Sequence, residues 1–217
     1  SAMHTGISTI NAASLAGTLT IGAAARDADA YTITGGVNND SIAMENAADV
    51  LTGGTQATAG SDTLVVVYTG ILGGIVADLS AADQVVTMDG SSNTAVQSGF
   101  ENIDVRDFAA FGAVITGSDG ANTITGTVGA DRITAGKGND IIQVAITNDA
   151  NTDQINGGAG TDTVKLSYTG AANVASISNV ENIEVTIGAS AAGTLTQGAA
   201  TFTNDTDAKT LTIKGGN

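Results

Sequence analysis

Seven carboxylate or amide side chains recur at one place in a repeating pattern: Asp40, Asp62, Asn122, Asp131, Asp140, Asp153 and Asp162. Each is followed two residues later by an apolar β-former, in order Ile42, Leu64, Ile124, Ile133, Ile142, Ile155 and Val164. Most are preceded by glycines at fixed offsets. Hard oxygen donors beside sharply bent backbone can ligate a hard cation, with peptide carbonyls completing the shell. Other chemistry lacks materials. The single histidine, His4, lies in Ser1-Ala2-Met3-His4, which reads as an expression scar at residues 1–4. There is no cysteine, and neither HExxH nor GxSxG occurs. Triad chemistry and imidazole- or thiolate-bound zinc are therefore excluded. Carboxylates that could pair as in glycosidases exist at Asp78, Asp83, Asp89, Glu101, Asp104 and Asp107. Carbohydrate clefts, however, offer aromatic platforms, and this chain has no tryptophan. The chain reads as a non-enzyme.

The pattern has a period of nine. Three copies run without a gap: "GSDGANTIT" from Gly117, "GTVGADRIT" from Gly126 and "AGKGNDIIQ" from Ala135. A fourth, "GGAGTDTVK" from Gly157, follows the irregular "VAITNDANTDQIN", whose end fits the second half of the pattern. An earlier cluster holds "GGVNNDSIA" from Gly35 and, with Gln56 to Ala59 as an inserted loop, "GGTQATAGSDTLV" from Gly53. "MENAADVLT" from Met44 sets Asp49 in register but lacks every turn glycine, so Asp49 is not expected to be a ligand. Glycine dominates the first, second and fourth places, where a tight turn needs positive φ or close backbone approach. Asn38 fills one fourth place, and asparagine tolerates the left-handed region best after glycine.

These turns dictate their supporting elements. Alternation after the sixth place is that of a strand with its apolar side chains turned inward. A turn with one short strand cannot bury that side chain alone, so the units must stack, each strand pairing with the next coil. The expected fold is all-β, a parallel β-roll or β-solenoid. Stretches such as "TLTIG", "AVITG", "IEVTIG" and "TLTIKGG" continue the β-patterning, and no amphipathic helix is evident.

The nonapeptides resemble the RTX family, the glycine- and aspartate-rich calcium-binding repeats of bacterial secretion, which read GGxGxDxUx with U large and apolar. The resemblance covers residues 35 to 65 and 117 to 165. It implies two nonapeptides per coil and several calcium ions between alternate repeats. Carried over, it pairs Asn122 with Asp140, Asp140 with Asp162, Asp131 with Asp153 and Asp40 with Asp62. The implied metal-site residues are Gly36, Asn38, Asp40, Gly60, Asp62, Gly120, Asn122, Gly129, Asp131, Gly136, Gly138, Asp140, Asp153, Gly158, Gly160 and Asp162. The neutral Asn122 is expected to weaken its site. Electrostatics agrees with a cation. Stacked strands lie about 4.8 Å apart, and carboxylates at that range repel by about 3 kcal/mol at an effective dielectric near 20, or about 1 kcal/mol when well solvated. A divalent ion reverses that sign.

Composition narrows the function class. A net charge of −15 speaks against nucleic acid and anionic membranes as partners. No apolar run approaches the length of a membrane span, and no signal peptide is visible. With seven aromatics among 217 residues, a narrow repetitive core is expected. A longer repeat is also present. "GSDTLVVVYTG" from Gly60 leads to "FENIDV" at Phe100, and "GTDTVKLSYTG" from Gly160 leads to "VENIEV" at Val180. The first copy carries an extra strand pair in "GGIVADLSAADQVVTMDG". Two solenoid units are expected, 5–110 and 111–217. The ends match as well: "AGTLTIGAA" from Ala16 recurs as "AGTLTQGAA" from Ala192, and "DADAYTITGG" from Asp27 as "DTDAKTLTIKGG" from Asp205. This is what a segment of a longer array would show. The expected role is a calcium-rigidified segment of an extracellular bacterial surface protein, an S-layer or large adhesin exported by a type I system. Its partners would be calcium and either copies of itself in a lattice or a cell-surface ligand. The alternative is a calcium-dependent carrier domain of a secreted enzyme or toxin.

Overall fold

The computed structural model describes residues 8–22, 29–55, 61–67, 73–108, 111–146, 153–168, 176–187 and 210–215. Among these there is no helix, and the strands stack in parallel as a β-solenoid. One face is a nine-stranded sheet running from Thr20–Ile21 to Thr210–Gly215. The other face is divided. A four-stranded sheet holds Thr9–Asn11, Thr32–Thr34, Val50–Thr52 and Gln97–Ser98, and a seven-stranded sheet runs from Ser176–Ser178 to Ser91–Ser92. The chain passes from one face to the other and back, each strand pairing with its equivalent in the next coil.

The register follows from the apolar positions. Ile124 pairs with Ile142 and Ile142 with Val164 on one face, while Ile133 pairs with Ile155 and Ile155 with Ile177 on the other. All seven apolar residues of the eighth place are buried. Slipping any strand by one residue would turn its isoleucine to solvent, so the stack has one favourable register. Each fully buried aliphatic side chain contributes about 1.5–3 kcal/mol.

The division of the second face coincides with the extra strand pair. Ile75–Asp78 and Val85–Met88 are antiparallel, and a two-residue turn at Asp89 (φ 55°) and Gly90 (φ 72°) leads back into Ser91–Ser92. Positive φ at both positions is what a tight hairpin of this hand needs, and Asp-Gly supplies it. Buried amides tie the hairpin to the stack. Gln84 Nε2 donates to the carbonyls of Leu79 and Phe100, its Oε1 accepts from Phe100 N–H, and Gln97 Nε2 donates to Asp49 O. Phe100 and Phe108 are buried in the core here, while the coils of the second cluster are filled by Ile, Leu, Val and Ala.

The matched chain ends are not matched in place. Thr32–Thr34 lies in the four-stranded sheet, whereas Thr210–Gly215 extends the nine-stranded one. The expected scar at 1–4 and the copy at 192–200 lie outside the described residues.

Candidate metal centre

Each sixth-place side chain stands where a coil turns into its next strand; the carboxylates reach one coil back through their first oxygen, and Asn122 does so by donating Nδ2–H to Glu101 O (2.6 Å). Asp140 Oδ1 accepts the N–H of Asn122 (2.8 Å), and Asp131 Oδ1 that of Ala113 (2.7 Å). Both bonds span 18 residues, the length of two nonapeptides. Asp62 accepts from Asp40, Asp153 from Asp131 and Asp162 from Asp140, at 2.7, 2.9 and 2.9 Å, each across 22 residues. Two columns result, Asn122–Asp140–Asp162 and Asp131–Asp153, with Asp40–Asp62 in the earlier cluster. All seven side chains are buried.

The second oxygen divides the turns into two kinds. In Gly126–Asp131, Thr127 N–H donates to Asp131 Oδ2 (2.9 Å) and Thr127 O–H to Asp131 Oδ1 (2.7 Å), while Gly129 N–H donates to Thr127 Oγ1 (3.0 Å). In Gly117–Asn122, Ser118 N–H donates to Asn122 Oδ1 and Gly120 N–H to Ser118 Oγ. Gly36 N–H closes on Asp40 Oδ2. Asp49 is closed too, accepting from Tyr31 through one oxygen and from Glu45 and Asn46 through the other. By contrast, Asp140 Oδ2 and Asp162 Oδ2 are buried without a hydrogen-bond partner. A buried carboxylate oxygen left in this state is costly unless something compensates it.

The backbone explains the difference. Gly136, Gly138, Gly158 and Gly160 have φ of 109°, 108°, 104° and 144°. Their peptide groups are thereby turned so that no N–H reaches the carboxylate of its own turn. The turns are also stacked in register, Gly136 on Gly158. A Cβ on Gly158 would lie 2.0 Å from Gly136 O, and one on Gly160 only 1.7 Å from Gly138 O. Only glycine fits. Asn38, expected in the left-handed region, is not there: among described residues the non-glycine positions with positive φ are Asp89 and Asn179. Asn38 Nδ2 donates instead to Ala16 O, a bond that holds the turn onto its neighbour without bending it further.

Sequence reasoning treated the copies as equivalent. The signal it missed is the backbone at the second and fourth places: glycines there are left-handed in the two open turns, whereas Ser118, Thr127 and also Gly36 hold their turns closed without positive φ. Gly120 and Gly129 belong to closed turns, as Gly36 and Asn38 do. Gly60 lies outside the described residues, as does most of the turn before Asp153. The six carboxylates considered for glycosidase chemistry are mostly engaged locally: Asp78 with Ser80, Asp89 with Gly73, Asp83 with Gln97, Glu101 with Asp62 and Asp104 with Arg106.

Burial raises the carboxyls of Asp140 and Asp153 to about 6, against an ordinary value of 3.8. The neighbouring carboxylates Asp162 and Asp131 add to the respective shifts. Asp131 and Asp162 are raised as well, again chiefly by burial. The columns thus place negative charge where it is poorly solvated and close to its own kind. Among the described residues no three His, Cys, Asp or Glu side chains converge as a metal-binding group. A cation here would have to draw on backbone carbonyls, as calcium's need for about six to eight oxygens allows. The orphaned oxygens and the glycine backbone fit such an ion. Asp140 and Asp162, with carbonyls of the turns around 136–138 and 158–160, would hold it.

Residues 116–150 and 149–164 match the family model of the RTX calcium-binding nonapeptide repeat, in four copies. The chain carries RTX calcium-binding repeats. The RTX match contains both open turns and both closed turns of the second cluster, and the first cluster lies outside it. RTX repeats bind calcium and are typical of secreted proteins. No curated protein and no solved structure matched.

Proposed function

We propose that this chain is a calcium-rigidified structural segment of a secreted bacterial surface protein, of the S-layer or large-adhesin kind. The observation that carries the reading is the pair of buried, unpartnered oxygens, Asp140 Oδ2 and Asp162 Oδ2, above turns bent by left-handed glycines. An ion that binds the folded chain and not the unfolded one stabilises it in proportion to the logarithm of its concentration, by about 2.7 kcal/mol per site at a hundred times Kd. The closed coils that precede the open turns support a structural role. They continue the same stack by hydrogen bonds alone, so the calcium turns stiffen part of a longer rod. No helix among the described residues is long and apolar enough to cross a membrane. Outside the cell, millimolar calcium would keep the open turns loaded; in the cytosol they would be empty and the chain loose enough for export.

Calcium titration of the chain, followed by circular dichroism and size-exclusion chromatography, tests this. The expected result is a gain of β signal and a higher melting temperature, with EDTA reversing both. Growth of larger species with calcium would point to lattice assembly. Melting unaffected by EDTA would sink the reading.

A further inference from the structure

Both calcium-turn stretches end on the same short sequence, "SGFENIDV" from Ser98 and "SNVENIEV" from Ser178. The turn chemistry does not account for it. Each copy begins with left-handed backbone, Gly99 at φ 72° and Asn179 at φ 50°. Each then sets a glutamate where the next aspartate of the ladder would stand. Asp62 N–H donates to Glu101 Oε2 and Asp162 N–H to Glu181 Oε2, both at 2.7 Å. Asn102 and Asn182 N–H donate to the carbonyls of Asp62 and Asp162, both at 2.9 Å. The strand register measures the turn: Asn156 to Thr163 in one coil lies opposite only Ser178 to Asn182 in the next. The glycine-rich turn has been cut short, and the extra methylene of glutamate covers the distance that the lost residues leave.

The closing loop also lies against the orphaned oxygen of the last turn. A Cβ on Gly157 would sit 2.5 Å from Asp162 Oδ2 and 2.1 Å from Asn179 O, so that oxygen and that carbonyl flank one glycine. A Cβ on Gly53 would stand in the same way between Asp62 Oδ2 (2.7 Å) and Gly99 O (2.1 Å), and one on Gly35 between Asp40 Oδ2 (2.6 Å) and Gly53 O (1.8 Å), so the arrangement recurs along the stack and the unpartnered oxygen is what sets Asp162 apart. Glu181 is close enough to Asp162 for its charge to disfavour ionisation there. Asp162 is fully buried, and its Oδ2 has no partner. A second carboxylate and a carbonyl beside such an oxygen supply only acceptors, which a hard cation satisfies.

We propose that Glu181 is a ligand of a terminal calcium site, held together with Asp162 and the carbonyl of Asn179. The Glu-Asn step is then the last rung of that calcium ladder, ending it on a charged ligand without a glycine turn; Glu101 ends the first stretch through the same hydrogen bond, to Asp62 N–H. The proposal rests on reading the open turns as calcium sites, and one experiment separates the two. Wild type, E181Q and D140N are titrated with calcium by isothermal calorimetry, and each is melted in EDTA. Glutamine keeps the acceptor for Asp162 N–H and removes the charge. E181Q should lose one ion from the stoichiometry or weaken one site by at least about tenfold, with its melting temperature in EDTA unchanged. E181D, which keeps the charge but withdraws it by one methylene, should weaken the same site and gives the second arm if E181Q disturbs folding. Wild type binding calcium while both Glu181 variants titrate identically to it overturns the proposal alone. Wild type binding none overturns the reading of the turns as well.

Discussion

The turns Gly126–Asp131 and Gly157–Asp162 share a repeat, a column geometry and a buried aspartate, yet they satisfy that aspartate in different ways. In the first, Thr127 gives both its N–H and its O–H to the carboxylate and receives Gly129 N–H in return. In the second, glycines at the second and fourth places turn the backbone away and leave one oxygen bare. The closed turn is finished by the chain itself; the open one is finished only by something added. The sixth-place residue therefore builds the ladder in every coil, while the backbone at the second and fourth places decides whether one of its oxygens is left bare. One solenoid can mix both kinds because the strands, and hence the register, are indifferent to the choice.

The largest effects should come from forcing a side chain into an open turn. Gly160→Ala meets φ of 144° and the carbonyl of Gly138, and should cost about 3 kcal/mol in thermal or urea unfolding. Gly120→Ala in a closed turn meets nothing nearer than 3.7 Å and should be close to neutral. Equal losses would erase the distinction between the two turns. Next in size is Thr127→Ala, which removes a buried hydroxyl bridge and strands Gly129 N–H, a loss of about 2 kcal/mol. That loss should be the same in calcium and in EDTA. A calcium-dependent loss at Thr127 would mean that the closed turn also carries an ion.

Asp140→Asn probes the open turn from the other side. The amide oxygen can still accept Asn122 N–H, but the charge is gone. Calcium affinity should fall at least about tenfold, while melting in EDTA should hold or rise, since a poorly solvated charge beside Asp162 has been removed. Asp131→Asn should leave calcium affinity nearly unchanged. The calorimetric titrations of the two variants, side by side, give the answer.

How far these features could be read from the sequence follows from their physical origin. The stack and its register were legible because one apolar residue per nonapeptide must go inward, and all seven from Ile42 to Val164 do. The extra strand pair was legible in "GGIVADLSAADQVVTMDG", whose apolar runs become Ile75–Asp78 and Val85–Met88. The division between open and closed turns was not, because it depends on whether the backbone N–H of Gly36, Ser118 or Thr127 can reach the side-chain oxygen four residues ahead, a matter of φ at the second place. The closing role of Glu101 and Glu181 was hidden for a similar reason. The "ENI" motif was visible, but its shortened step and the glutamate reaching back to Asp62 and Asp162 are contacts between coils, 39 and 19 residues apart.

The smallest expected effect is that of pH, and it separates the calcium-free state from the loaded one. Asp140 and Asp153 titrate near 6 in the folded chain and near the ordinary 3.8 when unfolded. Between those values the folded state binds more protons, so stability falls as pH rises through the window, and the full penalty is present above about 6. In EDTA, acidifying from pH 7 to pH 5 should therefore raise the melting temperature by a few degrees. In saturating calcium the sign reverses, because protons now compete with the ion for the open-turn carboxylate of Asp140, and acidification should lower it. Thr127→Ala should leave the sign of both slopes intact, and Asp140→Asn should flatten both. Identical slopes with and without calcium would mean that the open-turn carboxylates do not meet the ion.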